Sequence, residues 1–143
     1  MVFLRRIVRF LLRDFLCANG YELGIYILEG EEMTGLNETF LRHSGVTDVI
    51  SFNYAERPDG GLLQGEIFVC VDEARVQAAR FGTSWQEELV RYIVHGLLHL
   101  LGYDDRRKRD RLKMKRREDQ LLKHLTETFP LETLAHPKRR KKS

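Results

Sequence analysis

His95 and His99 stand four residues apart in the run His95-Gly96-Leu97-Leu98-His99-Leu100-Leu101-Gly102-Tyr103-Asp104-Asp105. On a helix that spacing puts two imidazoles one turn apart on one face, within reach of a single ion. Gly102 can take the left-handed conformation that ends a helix and reverses the chain. The reversal swings the carboxylates that follow back toward the histidines. Asp105 is the expected third ligand, with Asp104 as its rival. Two imidazoles and one carboxylate form the kind of set that holds one Zn²⁺ and keeps a fourth position open for water. Zinc in such a set lowers the pKa of its water to about 7, which suits hydrolysis at a carbonyl carbon or at phosphorus. A lone histidine on an apolar helix is ordinarily a satisfied core residue. A pair at ligand spacing, followed by a glycine turn and a carboxylate, asks for another explanation.

Gly96 separates the two targets. Zinc peptidases of the H-E-x-x-H type use the glutamate as general base, and here that position has no side chain. The spacing permits a metallopeptidase and the chemistry disfavours it. Glu66 is a remote candidate for a base, and no side chain is assigned a catalytic role.

The elements around this run must bury it and turn it. Ile93, Val94, Leu97, Leu98, Leu100 and Leu101 make the helix apolar nearly all round, hence central. Ser84 and Glu87 form a capping box that starts it, for a helix over 85–101. Upstream, Leu4, Ile7, Val8, Leu11 and Phe15 recur at helical spacing and predict a helix over 3–18 that Asn19-Gly20 stops. Strands are predicted over 21–28, 47–54 and 65–71, the last two as a hairpin across the turn-rich stretch 56–61. A helix over 31–43 points Met33, Leu36, Phe40 and Leu41 inward, and Ser44-Gly45 breaks it. Asp72 is read as the cap of a helix to Phe81. A charged helix over 107–126 buries Leu112, Leu121, Leu122 and Leu125. The pattern predicts an α/β (α+β) sandwich around a small mixed sheet, with the metal site on the central helix and the following turn. Residues 1–130 form one domain in this reading, and 131–143 a basic tail with little order.

The 143 residues allow one domain with a real core. Cys17 and Cys70 have neither CxxC spacing nor a histidine nearby, which suits buried thiols in a reducing compartment rather than a disulfide. No apolar run approaches the ~18 residues of a spanning helix. Arg9 and Arg13 interrupt the N-terminal apolar run, so it reads as an amphipathic helix rather than a signal peptide, and the expected location is cytoplasmic. Net charge is only +3, but nine of the twelve residues from Arg106 to Arg117 are Lys or Arg, and Lys138 to Lys142 adds five more. Such clusters suit RNA or another anionic surface. A solvated helix face with a disordered tail is the competing reading.

The run from His95 to Asp105 resembles the H-G-x-L-H-L-x-G-Y-D-H signature of the YbeY family, bacterial metal-dependent endoribonucleases and rRNA maturation factors. Leu36-Asn37, Thr47-Asp48-Val49-Ile50-Ser51-Phe52 and Gly65-Glu66-Ile67 resemble further family segments, and Met114 and Gln120 fit its C-terminal helix. The resemblance covers about residues 20–125. It implies a zinc-dependent enzyme that cleaves single-stranded RNA, acting in 16S rRNA 3′-end maturation and ribosome quality control, with the small ribosomal subunit as partner. It also implies metal-ligand roles for His95 and His99. The family's third histidine is Asp105 here, which adds negative charge and lowers the Lewis acidity of the ion. The family's phosphate-holding arginine falls at Leu41, and the neighbouring Arg42 is the candidate RNA-binding substitute. The family's first strand has no counterpart in the sequence, which implies a smaller sheet. These departures keep a second reading open, a zinc-stabilised ribosome-assembly factor with weak or no catalysis.

Overall fold

Alternation of apolar and polar residues decides which way each face of the sheet looks. The computed structural model describes residues 2–15, 20–40, 47–54 and 62–134. The elements are α1 (Val2–Phe10), continued by a π-helical turn (Leu11–Phe15), β1 (Gly20–Leu28), α2 (Gly30–Phe40), β2 (Val49–Asn53), β3 (Leu62–Cys70), α3 (Val71–Phe81), α4 (Trp85–Leu100) and α5 (Lys108–Thr128). A short 3-10 turn, Leu131–Thr133, follows. The sheet order is β1-β3-β2, with β3 parallel to β1 and antiparallel to β2. This is the small mixed sheet of an α+β fold, and β2 and β3 pair as the hairpin expected.

Ile25, Ile67 and Ser51 lie in one rank across the three strands. Because side chains alternate along a strand, Leu63, Ile67 and Val69 share one face of β3, and Gln64, Glu66 and Phe68 the other. The first face meets α4. Gly96 is what lets the helix down onto it: a Cβ there would lie 2.8 Å from Ile67 Cγ2. Leu89, Ile93, Leu97 and Leu98 of α4 are fully buried, and so are Leu11, Leu12, Met114, Leu121 and Leu125 from the flanking helices. One apolar cluster thus runs from Leu4 to Leu134. A smaller one, Met33, Ile50 and Cys70, sits under α2 on the opposite face.

Several expectations shift. The third helix begins at Val71, so Asp72 lies in its first turn instead of capping it, and its Oδ2 accepts from Gly30 N–H at 2.6 Å. Leu112 is 53% exposed. The buried stripe of α5 is Met114, Glu118, Leu121, Leu122 and Leu125, and a residue two before Met114 is turned about 200° away from it. The segment after Pro130 packs: Leu131 and Leu134 are buried in the core, and Gln86 Nε2 donates to Glu132 O at 3.1 Å. Two leucines in so short a turn give no periodicity to read. Leu41, Arg42 and the remainder of the expected second helix lie outside the described residues, as do Cys17, the 56–61 turn and the Lys138–Lys142 run. Cys70 is a buried free thiol. Among the described residues, no helix is long and apolar enough to cross a membrane.

Candidate metal centre

Helix α4 is started and stopped by its own sequence. Ser84 Oγ accepts from Glu87 N–H at 3.1 Å, satisfying a donor that the helix cannot. At the other end Gly102, at φ +100°, donates to His99 O, while Tyr103 N–H donates to Leu98 O, both at 3.0 Å. This paired closure reverses the chain one residue past the helix. The next two side chains then part. Asp104 Oδ1 accepts from Arg106 N–H at 3.1 Å and holds the turn into α5. Asp105 Oδ2 comes to 3.4 Å from His99 Nε2 and 3.9 Å from His95 Nε2. Of the two carboxylates, it is Asp105 that stands with the histidines.

The two imidazoles are aimed by their far nitrogens. His99 Nδ1 lies 3.1 Å from Tyr103 O, a carbonyl that can only accept, so Nδ1 carries the proton. His95 Nδ1 lies 2.9 Å from Glu118 Oε2, whose other oxygen accepts from Arg91 Nη1 at 3.2 Å. Glu118 is only 6% exposed. Burial alone would raise its pKa, but its hydrogen bonds to His95 and Arg91 and the charges of His95 and Lys115 outweigh that and hold it low. Burial alone would likewise lower His95, and the Glu118 hydrogen bond and charge outweigh it and raise the imidazole.

When both rings are neutral, with each Nδ1 donating, two Nε2 lone pairs face each other at 3.1 Å, with the Asp105 carboxylate beside them. Lone pairs so placed repel unless a proton or a cation lies among them. A tetrahedral ion with zinc-like bond lengths needs ligand atoms about 3.3 Å apart, and the three separations of 3.1, 3.4 and 3.9 Å bracket that. The donor set therefore fits a metal ion. His95 and His99 side chains are 27% and 28% exposed and Asp105 49%, which leaves the group open to solvent on the aspartate side.

Sequence reasoning brought together the two histidines and Asp105 and missed Glu118. Its signal was a glutamate at i+4 from Met114 and i−3 from Leu121, inside the apolar stripe of α5. Glu66, the remote candidate base, lies on the sheet face away from α4, where its Oε1 accepts from Tyr54 Oη at 2.7 Å. Strand alternation puts it there. Arg42 is outside the described residues. The basic stretch opens α5 beside the site, with Lys113 Nζ 5.9 Å from the Tyr103 ring centre. Part of it has structural duties: Lys115 pairs with Asp119 at 3.3 Å, and Arg117 Nη2 donates to Phe15 O at 3.1 Å.

Fold and site together define an α+β protein whose central helix and following turn present a solvent-open His-His-Asp group able to hold a metal ion. Residues 2–126 match the family model of endoribonuclease YbeY. Endoribonuclease YbeY of Salinibacter ruber is 36% identical over 124 residues, 80% of this chain and 79% of that protein. The Chlorobium luteolum protein of the same name is 42% identical over 90 residues, 63% of this chain and 64% of that one, so the match spans just under two thirds of its length. The solution structure of TM1509 from Thermotoga maritima shares the fold at a TM-score of 0.64, over 96% of this chain and 93% of that one, at 22% identity. The chain belongs to the endoribonuclease YbeY family.

Proposed function

We propose that the protein is a metal-dependent endoribonuclease that cleaves single-stranded RNA, with one Zn²⁺ held by His95, His99 and Asp105. The observation that carries this reading is the convergence of two histidine lone pairs and a carboxylate in a family of nucleases. When bound, the ion supplies Lewis acidity toward a phosphodiester oxygen and an activated water. The chain's own residues do the rest. Glu118 and the Tyr103 carbonyl fix the ring planes, as partners behind metal ligands commonly do. The cationic start of α5 draws the RNA backbone toward the His-His-Asp group, and Arg42 serves as the phosphate contact. Gly96 explains why a peptidase is the weaker reading: the position of a peptidase's base is filled by contact with Ile67.

The same reading puts the protein in the cytoplasm, in 16S rRNA 3′-end maturation and ribosome quality control, on the small ribosomal subunit. One observation favours the alternative of a zinc-stabilised assembly factor with weak catalysis: the third ligand is an anion, which reduces the ion's Lewis acidity. Incubating purified protein with single-stranded and duplex RNA, with and without chelator, separates the two. Single-strand cleavage that stops with chelator and is absent in His99→Ala supports the nuclease. Stoichiometric zinc without cleavage leaves the assembly factor, and cleavage of a casein-like protein would revive the peptidase.

A further inference from the structure

α5 runs antiparallel to α4, and the contacts between them fix their register. Glu87 shares a groove with Lys123 and Thr126. Arg91 donates to Glu118 and Asp119, and His95 is bonded to Glu118. Carried on by one turn, this register sets His99 opposite the stretch 111–114. Met114 fills the inner side of α5 at that level and is buried. Arg111 is exposed. It precedes Glu118 by seven residues, which on a helix is about 10 Å along the axis and only about 20° around it. Arg111 therefore leaves α5 on the line of Glu118, on the side that faces the metal-holding histidines, and at the level of His99.

The other cations of the stretch are placed differently. Arg106 lies 3.9 Å from Asp104, Lys113 lies against the Tyr103 ring, Lys115 pairs with Asp119 and Arg117 donates to Phe15 O. Lys108 is turned about 80° from the line of Glu118, and Arg109 and Arg116 about 180° and 160°, away from α4. Arg111 alone combines the inward line with exposure, and it has no ion-pair partner among the described residues. A guanidinium presents a planar fork of donors that matches two phosphate oxygens. We infer that Arg111 binds a backbone phosphate of single-stranded RNA, next to the phosphate presented to the His-His-Asp group. This inference rests on the reading of that group as an RNA site. It divides the basic stretch into one residue that grips the strand at the site and others that supply a field around it.

The test is fluorescence anisotropy of the zinc-loaded full chain with a single-stranded 2′-O-methyl oligoribonucleotide, which keeps the phosphates and resists cleavage. Arg111→Gln should weaken binding about tenfold. It should also reduce the slope of log affinity against log salt by about 0.7, the loss of one phosphate contact on a single strand. Arg109→Gln and Arg116→Gln remove the same charge from the opposite face and should each cost at most about twofold. Arg111→Lys should restore the salt slope but only part of the affinity, because an ammonium lacks the fork. Zinc content should equal that of wild type in all four. An Arg111→Gln loss no larger than that of Arg109→Gln and Arg116→Gln overturns the inference in favour of a diffuse field. Zinc lost together with RNA from Arg111→Gln overturns it too, since the residue would then act on the metal group. RNA bound tightly but, in its natural form, never cut removes the nuclease reading, and the same four affinities still decide Arg111. A wild type that binds no oligonucleotide removes both.

Discussion

The two halves of the candidate metal group are tethered differently. On the α4–α5 side, His95 is held by a side chain, the buried Glu118, which is itself held by Arg91. On the side of the α4 terminus, His99 is held by the backbone carbonyl of Tyr103, delivered by the glycine turn. A carboxylate tether carries charge, raises the basicity of its imidazole and can be removed by one substitution. A carbonyl tether is neutral and is lost only if the turn itself changes. One half of the site is thus tuned by chemistry and the other by conformation.

Removing a ligand acts on both halves alike and sets the scale. His99→Ala should reduce zinc affinity by well over the ~10–100-fold typical of a partner behind a ligand, measured by competition with a chromophoric chelator. Asp105→Ala should do likewise and Asp104→Ala should not. Zinc lost from the Asp104 variant alone would show the third ligand misassigned. Glu118→Gln then tests the tuned half. It keeps the shape, removes the charge, and should cost about 10–100-fold in zinc affinity. Tyr103→Phe leaves the carbonyl in place and should bind zinc as wild type does. Equal losses from the two would mean that the tethers do not differ as described.

The conformational half breaks at Gly102. With φ at +100° and nothing within 4 Å of a Cβ, its requirement is backbone conformation alone. Gly102→Ala should destabilise the fold by about 1–2 kcal/mol, read by chemical denaturation, and loosen His99 while leaving the His95–Glu118 pair intact. A variant as stable as wild type would mean that the turn does not depend on glycine.

How much of this was readable in the residues follows the same division. The conformational half was legible, because glycine chemistry and helical spacing are local: His95, His99, Gly102 and Asp105 are one continuous run. The packing helix was legible too, since its apolar residues are unbroken. Glu118 was not, because its partner lies 23 residues away and charged residues crowd the helix it sits on. Leu112 misled for a related reason. On a helix so rich in lysine and arginine a leucine reads as core, and only the angle from Met114 excludes it. Gly96 was read as a missing catalytic base. The structure supplies its positive reason, contact with Ile67 across the sheet, which no local pattern could display.

The smallest effect separates the tethers by the sign of a slope. In metal-free protein His95 is raised and Glu118 lowered relative to their ordinary values. The lowered carboxylate contributes stability that is present above its unfolded pKa, about 4.3, and is lost as pH falls through the folded value. The raised imidazole contributes stability that is full below its unfolded pKa, about 6.5, and is lost as pH rises through the folded value. The pair therefore stabilises chelated protein most between those two points, and its contribution should fall from pH 6.5 toward 8. Bound metal reverses that slope, because protons compete with the ion for His95 and its stabilisation grows with pH. Thermal melts at pH 6.5 and 8, with zinc and with chelator, should move in opposite directions once the Glu118→Gln melts are subtracted. The same sign in both would mean that Glu118 does not act through the imidazole that faces the ion.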